Sequence, residues 1–243
     1  MSILIVLCLL SSGCRNPFDR TRDASGAGPT GTFSGNANFV IFNNELVSGG
    51  GAFLYPGGEN QSLSFSDTSN PIGYRSIRYS WTGGLVSAPG CTPNPTSLFA
   101  GFDLMHTAVF SDYASTPGRD LHQGNYVKVT FFARGSLSSH TVLKIEAATP
   151  SSPAGCSTPP IVPCLWLSDS NSIDIDDGAN DQKCGHLPMT GSWQAYTVPI
   201  PSGWLAGTQV KDFFKATFVF NQPFGVPAGQ GGTVYFDQIQ YEP

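Results

Sequence analysis

The sequence predicts an all-β fold of about ten antiparallel strands with little helix, and three observations predict it. Glycine and proline are abundant, 28 and 19 of 243 residues, while only 12 % of residues are charged. Helical bundles and coiled coils need the reverse balance. Short runs rich in β-branched and aromatic residues, apolar and polar in alternation, recur between turn clusters. A helical period is nearly absent; only Trp204–Phe214 allows one turn. Strands this short bury their inner faces only in a sandwich or a barrel. With 40 % hydrophobic residues the chain can fill such a core, which excludes wholesale disorder. A net charge of −5 with 12 Lys and Arg excludes nucleic acid as a partner, because phosphate neutralisation needs clustered cations.

The N-terminus comes first. The apolar run Ile3–Leu10 is too short to span a bilayer, which takes about 20 residues. It fits the core of a signal peptide over residues 1–13. Leu10-Ser11-Ser12-Gly13-Cys14 resembles the lipobox of bacterial lipoproteins, with Ser11 in place of the usual branched residue or leucine. The resemblance implies lipidation of Cys14, a bilayer as partner and an extracytoplasmic address, anchored or secreted. Residues 14–35, rich in Gly, Ser and Thr, read as a tether, and 36–243 as one domain.

Within the domain, Phe39–Phe42 and Ala52–Tyr55 are the first candidate strands. Ser62–Phe65 and Ser76–Trp81 alternate apolar with polar, and Phe99–Met105 follows. Tyr126–Gly135 alternates through Val127, Val129 and Phe131, and Thr141–Ala147 alternates the other way. Two adjacent runs of this kind read as neighbouring antiparallel strands. Ser192–Ile200, Ala216–Asn221 and Thr233–Tyr241 complete the set.

These runs carry a resemblance that spans about residues 37–242. Phe39–Leu46 and Tyr74–Gly84 resemble the opening of a galactose-binding-like β-jelly roll of the carbohydrate-binding-module type. Tyr126–Gly135 is similar to its central strand, and Gly191–Val198 to its strand with Trp193 and Tyr196. Thr233–Glu242 is similar to the closing strand, with Gln238 where the family has a second Asp. The resemblance implies a two-sheet jelly roll that binds a poly- or oligosaccharide and does no chemistry on it. It also implies a structural calcium held by Asp237 with Asn43 or Asn44.

Sugars stack their C–H faces on aromatic rings, so candidate platforms are Tyr55, Trp81, Tyr113, Trp166 and Trp204. Tyr55 is favoured by the glycines on either side, which let a ligand approach the backbone. Trp193, in an alternating strand, reads as core. Removing Cys8 and Cys14 leaves Cys91, Cys156, Cys164 and Cys184, enough for two disulfides in an oxidising compartment. Spacing leaves Cys164 with Cys156 or with Cys184 open, and no cysteine pair has zinc-ligand spacing. The acidic run Asp174–Asp181 departs from the EF-hand template and reads as a solvated turn. Glu45, Glu59, Asp103, Asp112, Asp120 and Glu146 are scattered along the chain with no motif around any pair. No G-x-S-x-G is present, and His106 reads as a satisfied histidine. Two other functions compete: a structural or adhesion protein that binds another protein, and a glycoside hydrolase.

Overall fold

The computed structural model describes residues 37–54, 61–81, 98–137, 141–150, 163–168, 185–207, 209–220 and 232–243, and not the side chain of Trp166. Residues 1–36, Tyr55, Cys91, Cys156, Cys184 and the acidic run lie outside these. Among the described residues thirteen strands form. They are β1 (Phe39–Phe42), β2 (Gly51–Leu54), β3 (Ser62–Asp67), β4 (Ser76–Trp81), β5 (Leu98–Met105), β6 (Arg119–Asp120) and β7 (Lys128–Ser136). Then come β8 (Thr141–Pro150), β9 (Cys164–Ser168), β10 (Gly185–Pro188), β11 (Gln194–Pro199), β12 (Gln209–Phe220) and β13 (Gly232–Glu242). One sheet runs β11-β7-β13-β4-β3, with β1 also on β13. The other runs β10-β9-β8-β12-β5-β2, with β6 also on β12. The fold is an all-β sandwich.

The period-2 pattern decides what each layer buries. From the six-stranded sheet Ile77, Tyr79, Trp81, Val129, Phe131, Ala133, Val234 and Phe236 point inward; from the seven-stranded sheet Phe102, Leu143, Ile145, Phe214, Ala216 and Phe218 meet them. Rings lock the layers together. Phe218 stacks on Tyr79 at 4.8 Å and meets Trp81 at 4.7 Å, while Phe214 meets Phe131 edge-on at 5.1 Å. Tyr241, fully buried, donates its hydroxyl to the Phe213 carbonyl and accepts the Ala148 amide, which stitches β13 to the opposite sheet.

Three expectations are corrected. β7 and β8 are not neighbours: β7 pairs with β11 and β13, and β8 with β9 and β12. Alternation fixes which side chains face inward but not which strand lies alongside, and here the chain changes layer between the two. Trp204–Phe214 holds no helix: turns at Pro201–Ala206 lead into β12. The helical look came from Val210, Phe213 and Phe214, spaced i, i+3, i+4 and all fully buried. A bulge explains that spacing, since Asp212 pairs with Met105 but Phe214 with Leu104, leaving Phe213 as the extra residue. Finally, the sheets are not purely antiparallel, because β10 pairs with β9 in parallel. Residues 169–184 between them are long enough for the crossover this requires.

Candidate functional site

The outer face of the seven-stranded sheet gathers the polar residues that the chain scatters. Register sets Phe53 opposite Asp103, Asp103 opposite Lys215, and Lys215 opposite Glu146, a row across four strands. One step along, Gly101, Thr217, Lys144 and Trp166 occupy the next row. Glu146 sits between two amines: Oε1 is 3.5 Å from Lys144 Nζ and Oε2 is 3.5 Å from Lys215 Nζ. Its side chain is only 13 % exposed, so these charges are held in place rather than solvated freely. Carboxylates and amines locked this way offer sugar hydroxyls both acceptors and donors in fixed positions.

Asp212 is the most constrained group on this face. It is 6 % exposed, Tyr113 Oη donates to its Oδ2 at 3.1 Å, and its Oδ1 has no hydrogen-bond partner among the described residues. Burial, with the Glu146 charge adding to it, pushes its carboxyl up to about 6 against the opposing pull of Tyr113, Lys215 and Lys211. The Tyr113 phenol is pushed up as well, by burial first and then by Asp212 and Asp103. Lys211 Nζ donates to the Tyr113 carbonyl at 2.6 Å and to the Ala114 carbonyl at 3.3 Å, and so pins the 110–114 turn to β12.

That turn supplies an aromatic ledge beside the polar row. Phe110 stacks on Phe53 with centroids 4.1 Å apart and an interplanar angle of 11°, and Tyr113 lies beyond it at 6.1 Å. Phe110 is 53 % exposed, so part of its ring is open to a ligand. Neither Phe53 nor Phe110 stands out in the sequence; the only trace is an aromatic in a short helical turn followed by a tyrosine.

The platforms expected from sequence divide. Tyr113 belongs to this face. Trp81 does not: it is 1 % exposed and part of the core, because its parity in β4 turns it inward. Trp204 packs half-buried against the core and donates its indole N–H to the Ala148 carbonyl at 3.1 Å, so it is no open platform. Trp166 stands in β9, not in a loop, paired with Lys144 and His186. Trp193 is not core; it lies on the other sheet's outer face and donates to the Asn70 carbonyl at 2.8 Å. His106 is 7 % exposed with its ring nitrogens against the Lys211 and Thr116 carbonyls. Cys164 opens β9.

Asp237 and Asn44 are drawn together, but around backbone amides. Asp237 is fully buried; Oδ2 accepts the Ile72 amide at 2.9 Å and Oδ1 the Gln238 amide at 2.8 Å. Asn44 Oδ1 accepts the Tyr74 and Arg75 amides, while its Nδ2 donates to Asn43 Oδ1. This set fits calcium poorly, since N–H donors occupy the oxygens and, among the described residues, no cluster of three or more His, Cys, Asp or Glu able to hold a metal forms. The residues instead anchor the 72–75 loop to β13 and β1. Melting temperature is therefore expected to be the same with and without EDTA in a thermal-shift assay; a fall on chelation would place a cation at Asp237.

No protein-family profile matches the chain, and no curated protein does. Solved structures similar to it include the family 11 carbohydrate-binding module of cellulosomal cellulase Lic26A-Cel5E of Clostridium thermocellum, at 13 % identity and TM-score 0.41 over 86 % of this chain and 96 % of that one. Another is the family 30 carbohydrate-binding module of cellulosomal cellulase Cel9D-Cel44B of the same organism, at 14 % and 0.42 over 84 % and 96 %. A third is the K1 cleaved adhesin domain of Lys-gingipain from Porphyromonas gingivalis W83, at 13 % and 0.42 over 85 % and 98 %. Overlap this loose carries no argument about the site, which stands on its own geometry.

Proposed function

We propose that the protein binds a carbohydrate without altering it, on the outer face of the seven-stranded sheet. The observation that carries this reading is the aromatic ledge of exposed Phe110 with half-buried Phe53 and Tyr113, bordering the fixed row of Asp103, Lys215, Glu146 and Lys144. A pyranose lays its C–H face on Phe110 while its hydroxyls reach the carboxylates and amines. The exported, lipid-anchored setting expected from residues 1–14 is part of the proposal, and the four cysteines left after Cys8 and Cys14 suit the oxidising compartment it implies. Fixed to a surface, many weak sites act together.

The test is affinity electrophoresis and a glycan array. The wild-type chain is expected to be retarded by a soluble polysaccharide. F110A is expected to weaken that binding about fivefold or more with the fold intact, because the ring it removes is half exposed. Silence across the array withdraws the reading. One observation favours glycosidic hydrolysis as a second reading: Asp212, held near pH 6, lies on the same sheet as the carboxylates of Glu146 and Asp103. New reducing ends released by the wild type and absent with D212N would decide for it.

A further inference from the structure

We propose that the opposite face of the sandwich, the outer face of the six-stranded sheet, is a second binding site, for a polysaccharide that carries carboxylate groups. Register across four strands sets out a row there. Arg134 of β7 is opposite Tyr235 of β13, Tyr235 opposite Arg78 of β4, and Arg78 opposite Ser64 of β3; Trp193, just before β11, flanks Arg134. Aromatic and cation alternate along it.

Charge is the first argument. The chain carries 17 acidic groups against 12 Lys and Arg, yet Arg75, Arg78 and Arg134 have no carboxylate partner among the described residues. Of the lysines, Lys128 pairs with Glu242 at 3.0 Å toward the other end of this face, Lys144 and Lys215 pair with Glu146 on the opposite sheet, and Lys211 is held by the Tyr113 and Ala114 carbonyls. In an acidic protein, Arg78 and Arg134, set in one row without a carboxylate partner among the described residues, leave positive potential for an anion from outside. Rigidity is the second. The Arg134 guanidinium lies 4.1 Å from the Tyr235 ring centroid and 5.1 Å from that of Trp193, and Nη2 donates to the Ser69 carbonyl. Trp193 is itself tied to the Asn70 carbonyl, so a cation of many rotamers is already fixed before any ligand arrives. Arg78 is exposed one strand beyond Tyr235, so the two guanidinium-bearing positions are about 10 Å apart across the sheet.

The ligand class follows from the groups. The row's cations are arginines, whose forked donors match a carboxylate in two parallel hydrogen bonds. Hydroxyls border it, Thr233 being opposite both Ser80 and Ser136, and they suit sugar hydroxyls. Cations on two strands, separated by the strand that carries Tyr235, fit an extended chain of acidic sugars better than a single small anion. This site shares no residue with the ledge at Phe110 and does not rest on that reading.

The experiment is affinity electrophoresis of the full chain in polygalacturonate, in neutral glucan and with phosphatidylglycerol vesicles. Polygalacturonate is expected to retard the wild type, less so as salt rises. R78Q, at an exposed position, is expected to weaken this about tenfold with melting unchanged, and R134Q further. F110A is expected to leave it intact, which separates this site from the first. No retardation by polygalacturonate at low salt overturns the proposal, as does retardation that R78Q and R134Q both leave untouched. Equal binding to the anionic vesicles or to single-stranded DNA overturns it too, because charge alone would then explain the result.

Discussion

Replacing Trp81 by alanine is expected to lower the unfolding free energy by about 3–5 kcal/mol, the usual cost of emptying a buried aromatic site. Trp81 is 1 % exposed and lies between Tyr79 on its own strand and Phe218 of the opposite sheet. The backbone closes on it as well: a Cβ on Gly232 would stand 2.3 Å from the indole Cη2, so glycine at the start of β13 is what lets the ring lie there. W81F should recover part of the loss. Urea unfolding followed by circular dichroism measures it; a loss under about 1 kcal/mol would remove Trp81 from the core's main supports. Glycan retardation well below the melting temperature should survive W81A, since the residue lies inside the sandwich and the proposed ledge outside.

Stability is expected to fall as pH rises from about 4 to above 6, and Asp212 is the cause. Its folded carboxyl titrates near 6, whereas in the unfolded chain an aspartate titrates near 3.9. Between those values the native state keeps a proton that the unfolded chain has released. Raising pH therefore favours unfolding, by about 3 kcal/mol in all for a shift of this size. Below pH 4 both states hold the proton and the effect vanishes. D212N keeps an acceptor for the Tyr113 hydroxyl and carries no charge, so it should lack this component. The difference between wild type and D212N in urea unfolding should grow from pH 4 to pH 7. Parallel curves for the two proteins would show that Asp212 is not buried as a charge.

Much of the scaffold was legible beforehand because burial imposes a period. Ser76–Trp81 alternates so regularly that its strand bounds were read to the residue, and Phe39–Phe42 likewise. The failures share a cause. Val210, Phe213 and Phe214 looked helical because a bulge reset the alternation, and a bulge is decided by the partner strand. β9 and β10 escaped notice because they sit in stretches punctuated by Pro and Cys that read as loops, whereas β1, no longer than either, carries four apolar residues in a row. Trp81 and Trp193 exchanged their expected roles: Trp81 goes inward with Ile77 and Tyr79, whose parity it shares, and Trp193 lies just outside β11, where strand parity does not apply. The acid Glu146 seemed isolated, and its two lysine neighbours include one 69 positions away, on β12.

By itself the sequence determined the class of fold and most strands, because alternation is a local consequence of hiding apolar side chains from water. It also set the acidic balance that makes the unpaired Arg78 and Arg134 informative. Only the tertiary structure decided which strands share a sheet, and with that which side chains stand together. The row from Asp103 to Lys144, the ledge at Phe110 and the clasped Arg134 all depend on cross-strand register. Register is set by pairing between segments far apart in the chain, and no local pattern encodes the partner.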